Sequence, residues 1–156
     1  MGARKAALVA GAALAAAALA ALAMGDHPHG QAPVDTRVAA RFPEPLRTHT
    51  LANMRDHLAT IEQIQDALAR GEFERAAQAA ETRLGLSSLA AHGAHDVAKF
   101  MPQAMQDAGT AMHRAASRFA IAATTAGATG DLKAPLGALA EVTAQCVACH
   151  AAYRLE

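Results

Sequence analysis

The stretch Gln-Cys-Val-Ala-Cys-His-Ala-Ala-Tyr-Arg-Leu-Glu closes the sequence and holds both cysteines of the 156 residues. Cys146 and Cys149 stand three apart, and His150 follows directly. Several chemistries use two thiols at this spacing. A disulfide or a pair of buried thiols asks for nothing further. A thioredoxin-type redox pair asks for a strand ahead of the motif and a βαβ context. A zinc site asks for a second pair of ligands. Covalent haem attachment asks for C-x-x-C-H itself: each thiol adds across one vinyl group of the porphyrin and becomes a thioether. On a helix, Cys146 and Cys149 at i and i+3 leave from one face, and His150, four after Cys146, reaches that face. Neutral imidazole is a common ligand of haem iron. The chain offers neither a βαβ context nor a second cysteine pair. The reading is therefore haem c, bound through Cys146 and Cys149, with its iron on His150.

Helices must position this motif. From Leu46 to Arg70 the apolar residues Leu51, Met54, Leu58, Ile61, Ile64 and Leu68 step by three and four, which predicts one helix face. Gly71 stops it. A second segment, Glu72 to about Leu89, carries Phe73, Ala77, Ala80 and Leu84, with Gly85 and two serines weakening its middle. Pro102 opens a third, reaching about Ala126 through Met105, Met112 and Phe119. The fourth starts near Asp131 to Pro135 and runs through Leu139, Val142, Cys146 and Cys149 to Tyr153. No strand-like alternation exceeds a few residues. Segments of roughly 20 residues with short connections predict an all-α, antiparallel, up-down-up-down four-helix bundle over 46–156, with the haem bound covalently. The chain is 53% hydrophobic but only 3% aromatic, because alanine dominates. Each alanine methyl buries little area, so the core is thin and gains from a large cofactor or a partner chain.

Residues 1–23 predict a signal peptide. Arg4 and Lys5 precede an uncharged apolar run from Ala6 to Met24, and Ala21 to Ala23 offers small residues for cleavage. The expected location is the periplasm. The alternative is an uncleaved N-terminus anchored in the inner membrane, which nineteen apolar residues nearly allow. Residues 24–45 read as a linker, with Pro28, Pro33, Pro43 and Pro45 and two exposed histidines, His27 and His29.

At this point a family resemblance emerges. Cys146, Cys149, His150, Tyr153 and Arg154 match C-x-x-C-H-x-x-[YF]-[RK] at the C-terminus of a helical chain. The sequence thereby resembles class II c-type cytochromes, the cytochrome c′ family and its Met-ligated relatives, over residues 46–156. The resemblance implies a mono-haem bundle whose first helix supplies the residue over the iron's second face. Met54-Arg55 resembles the Met-Lys/Arg step of the Met-ligated, low-spin branch. Met54 is then the sixth ligand, and the protein carries one electron between periplasmic redox partner proteins. A thioether ligand also raises the potential. Thr50 and Leu51 depart from the Arg-Gln that often precedes the family's methionine. His57 is the rival ligand, giving bis-histidine iron. Leu51 or Leu58 over the iron gives the alternative function, a five-coordinate protein that binds nitric oxide or carbon monoxide. The resemblance also sets Tyr153 and Arg154 beside the proximal imidazole and Arg55 near a propionate, and it allows a homodimer through the first two helices.

Other residues offer less. His92, His95 and His113 could ligate copper or zinc, but loop or surface roles are expected for them. Met105, Met112 and Phe119 read as core against the porphyrin. Formal charge is zero. Without Arg4 and Lys5, 12 of the 14 basic residues remain against 14 acidic ones. No basic stripe or aromatic platform suggests nucleic acid. No Ser/His/Asp group, carboxylate pair or phosphate loop suggests an enzyme.

Overall fold

Proline decides where the first long helix can begin. Pro43 and Pro45 lack amide donors, which a helix start does not need, and α1 runs over Glu44–Ala69 in the computed structural model. The structure describes residues 34–156. The expected signal peptide with Arg4 and Lys5, and His27 and His29 of the linker, lie outside them. Helix α1 buries Ile64, Ala67 and Leu68. It also buries Thr50 and Thr60, whose hydroxyls donate to the carbonyls of Leu46 and Asp56, each at 2.8 Å. That internal bond lets a threonine sit in an apolar interior. Gly71, with φ of 73°, turns the chain out of α1.

Helix α2 spans Phe73–Arg83 and is shorter than the segment expected to reach Leu89. Its last carbonyls are taken by other donors. The Gly85 amide reaches Ala80 O at 2.7 Å, and the Ser87 hydroxyl reaches Glu81 O at 2.6 Å. Short polar side chains competing for backbone groups end helices in this way. A 3₁₀ turn at Leu86–Ser88 follows, then the single-turn helix α3, Ala94–Val97, and a second 3₁₀ turn at Ala98–Phe100. Helix α4 covers Gln103–Ala126 with Pro102 at its N-cap, and α5 covers Lys133–Ala152. The described chain is thus mostly helical, and no helix of it is long and apolar enough to cross a membrane.

Two short strands were not foreseen. Strand β1, Val38–Ala40, pairs in parallel with β2, Tyr153–Leu155, in the register Val38–Tyr153, Ala39–Arg154 and Ala40–Leu155. The Phe42 amide donates to Glu156 O and the Glu156 amide to Ala40 O, both at 2.9 Å. Three residues are too few for alternation to show in sequence. The end of the expected linker is therefore built into the fold: Ala40 and Phe42 are buried.

Residues 37–156 form one compact unit with two apolar clusters. The larger joins all four long helices around Phe119, Ile64, Leu84 and Val142, with many alanines between them. The smaller joins Ala40 and Phe42 to Val97 and Met105. Helix α2 packs on α1 and α4, and α4 packs on α5, whereas α1 and α5 have little direct backbone contact.

Candidate haem site

The two thiols lie at the junction of the clusters. Both are free and half-buried, on the last turns of α5. Cys146 packs against the larger cluster and Cys149 against the smaller one, while Val147 between them is 69% exposed. A helix carrying C-x-x-C gives this pattern: positions i and i+3 share a face, and i+1 turns away. Burial pushes both thiols above their ordinary range, and Cys146 pushes Cys149 further. The negative end of the helix dipole also disfavours a thiolate there. A nucleophilic redox cysteine needs the opposite conditions. The pair therefore lacks the electrostatics of a thioredoxin-type centre.

His150 is exposed on the same helix. Its backbone carbonyl accepts from Arg37 Nη1 at 3.2 Å. The same guanidinium nitrogen lies 3.5 Å from Tyr153 O. The segment entering β1 thus holds the backbone of the C-x-x-C-H motif from outside.

Tyr153 and Arg154 do not continue the helix. Helix α5 ends at Ala152, and both residues lie in β2, half-buried. Their expected helical spacing from His150 is replaced by extended backbone, because pairing with Val38–Ala40 satisfies amides that a further helical turn would otherwise use. Tyr153 packs on the smaller cluster beside Cys149, and Arg154 pairs with Glu156.

A cavity of about 190 Å³ opens between α1, the 3₁₀ and single-turn segments, and α4. Met54, His57, His92, Val97, Met101 and His113 are among the residues lining it. Met54 and His57, three apart on α1, face it together. Leu58 is 72% exposed and so cannot stand over a buried iron, which removes one of the two leucines considered for a gas-binding site. Arg55 is exposed on α1. Met112 and Phe119 are buried in the larger cluster and Met105 in the smaller one. The cysteines and His150 do not line the cavity themselves. Val97 and Met101 connect the two places, since both line the cavity and belong to the cluster on which Cys149 packs.

Loop or surface roles were expected for His92 and His113; His92 does lie in a loop, whereas the structure corrects the expectation for His113, which is buried on α4. His113 is buried, His92 is half-buried, and both rings stand beside His57. The expectation holds for His95, whose side chain is 88% exposed beside Asp96. A faint signal existed for His113, which follows Met112 at the edge of the apolar stripe. His92, in a glycine-flanked loop, gave none. Burial, followed by the nearby His92 and His113, lowers the His57 pKa to about 4. Burial also lowers His92 and His113. All three are neutral at pH 7.

The donor set suits haem c: two half-buried thiols on one helix face and an imidazole on the same helix, with the Met54 thioether lining the cavity. The volume is less accommodating. Sites for small organic molecules usually enclose about 300–1,000 Å³, so the cavity of about 190 Å³ is too small by itself for a porphyrin. In comparisons with known proteins the chain matches no family model, no curated protein and no solved structure.

Proposed function

We propose that this protein is an exported mono-haem c-type cytochrome that carries one electron between periplasmic redox partner proteins. The observation that carries the reading is Cys-Val-Ala-Cys-His on the last helix, with both thiols half-buried where two apolar clusters meet. The four long helices are read as a four-helix bundle around the cofactor. When bound, haem c supplies an iron that alternates between the ferrous and ferric states. The chain's own residues hold and insulate it. Cys146 and Cys149 would hold the porphyrin and His150 would ligate the iron. Met54 on α1 would supply a further ligand to the iron, where a thioether would favour the ferrous state. Val97, Met101 and Met112 supply apolar lining to the cavity. Tyr153 and Arg154 in β2 fix the chain just after His150, with Arg37 holding the His150 carbonyl. Arg55 is exposed on α1 and would serve to pair with a propionate or a partner protein.

A second reading rests on one observation. His57 Nε2 is buried without a hydrogen-bond partner, and the residue lines the same cavity as Met54. It could replace Met54 on the iron.

The test is the absorption spectrum of the mature protein, produced with haem-maturation machinery, together with its pyridine haemochrome. Covalent haem c with a low-spin ferric spectrum and the Met-to-iron charge-transfer band supports the carrier. A low-spin spectrum without that band points to His57. A high-spin spectrum points to a five-coordinate, gas-binding protein. Colourless protein with both thiols open to alkylation removes the haem reading altogether.

A further inference from the structure

We infer that Gly109 is a haem-binding position: α4 carries glycine there so that the porphyrin can lie against the helix backbone. The inference deepens the haem reading and rests on it. Gly109 lies in the interior of α4 and lines the cavity that Met54 and His57 share. Glycine inside a helix is destabilising relative to alanine, because it loses more backbone freedom on folding. Its presence on a cavity wall therefore needs a reason.

The usual reasons are absent. A left-handed backbone would demand glycine, but among the described residues the glycines with positive φ are Gly71, Gly93 and Gly130. A close neighbour would demand it too, as at Gly85, where an added Cβ would stand 2.7 Å from the Glu81 carbonyl oxygen. Outside its own stretch of helix backbone, a Cβ added at Gly109 would meet no atom within 4 Å. Alanine would thus suit the chain alone better than glycine. What glycine keeps is open space beside the backbone on the cavity wall. That cavity measures only about 190 Å³, so a side chain at 109 would take room that a porphyrin cannot spare.

A second observation comes from another helix. His57 on α1 is 9% exposed, and its Nε2 has no hydrogen-bond partner. Buried polar atoms are almost always paired, so the cavity is shaped for a group that the chain does not supply. Polar neighbours on α4 are engaged elsewhere: Gln106 Nε2 donates to Met101 O at 3.0 Å, and His113 Nδ1 lies 2.7 Å from Leu84 O. An orphaned nitrogen on α1 and an open backbone on α4 thus border one space. Gly137 supplies the contrast. It lies inside α5, and a Cβ added there again meets no atom within 4 Å. It is exposed, however, and is not among the residues lining the cavity.

The test compares full-length proteins produced with haem-maturation machinery: wild type, Gly109→Ala, Gly109→Leu, Gly137→Ala and Gly137→Leu. Haem content is read by pyridine haemochrome per mole of protein, the iron's surroundings by absorption, and stability by thermal melting. The Gly137 variants should keep the wild-type haem content and spectrum, and Gly137→Ala should melt about 2–4 °C higher, as relief of a helix glycine implies. Gly109→Leu should lose most of its covalent haem, and the remainder should show altered axial-ligand bands. Gly109→Ala should melt no higher than wild type when loaded. A Gly109→Leu protein with the wild-type haem content and spectrum overturns the inference and leaves the haem reading standing. Circular dichroism of the haem-free chains guards against a folding defect: Gly109→Ala should be at least as helical as wild type. Less helix there also overturns the inference, by showing that the chain itself needs glycine at 109. Colourless wild-type protein sinks the haem reading, and this inference with it.

Discussion

Among single residues, Met54 carries the sharpest functional consequence. It shares the cavity wall with His57 and with apolar Val97 and Met101. If Met54 ligates the iron, Met54→Ala should abolish the Met-to-iron charge-transfer band and open the ferrous protein to carbon monoxide. An unchanged spectrum would show that Met54 only packs. In the proposed haem attachment Cys146 and Cys149 would act as a unit. Burial disfavours the thiolate at both, so uncatalysed chemistry at either sulfur is slow at neutral pH. The chain made without haem-maturation machinery should accordingly resist iodoacetamide in native buffer and react readily once unfolded. Fast alkylation of the native chain would contradict the burial.

Among the elements, the β1–β2 pair connects the start of the compact unit to the residues directly after the motif. Its anchor is Phe42, which is buried and stacks near Phe100 with ring centres 5.9 Å apart. Phe42→Ala should cost about 3 kcal/mol of unfolding free energy, near the low end for a buried phenylalanine. Urea denaturation followed by circular dichroism reads this. Arg41→Ala, which removes an exposed ion pair with Glu156, should leave the midpoint almost unchanged. Equal effects of the two substitutions would mean that surface charge, not apolar packing, holds the strand. The pair also explains why α5 stops at Ala152: the chain that follows finds backbone partners in β1 instead of continuing the helix.

The molecule as a whole is thinly cored. Alanines fill much of the larger cluster, and α1 and α5 have little direct contact. A bound porphyrin would add apolar area to this thin core. The double variant Cys146→Ser, Cys149→Ser, matured under the same conditions, should melt more than about 10 °C below the haem-loaded protein, as a loss of several kcal/mol implies for a domain of this size. Equal melting temperatures would mean that the fold needs no cofactor. The helices, and the C-x-x-C-H motif on the last of them, were legible in the sequence because both are local: apolar residues at steps of three and four, and two thiols with an imidazole within five residues. The shortened α2, the strand pair and the meeting of His57, His92 and His113 were not. Each depends on residues far apart in the chain, and the contact that decides it contributes no periodicity to either segment. The sequence alone thus determined which side chains could bind a cofactor and the helix that carries them. The tertiary structure decided which distant side chains share a cavity, because that depends on how the helices stack and not on the order of residues within any one of them.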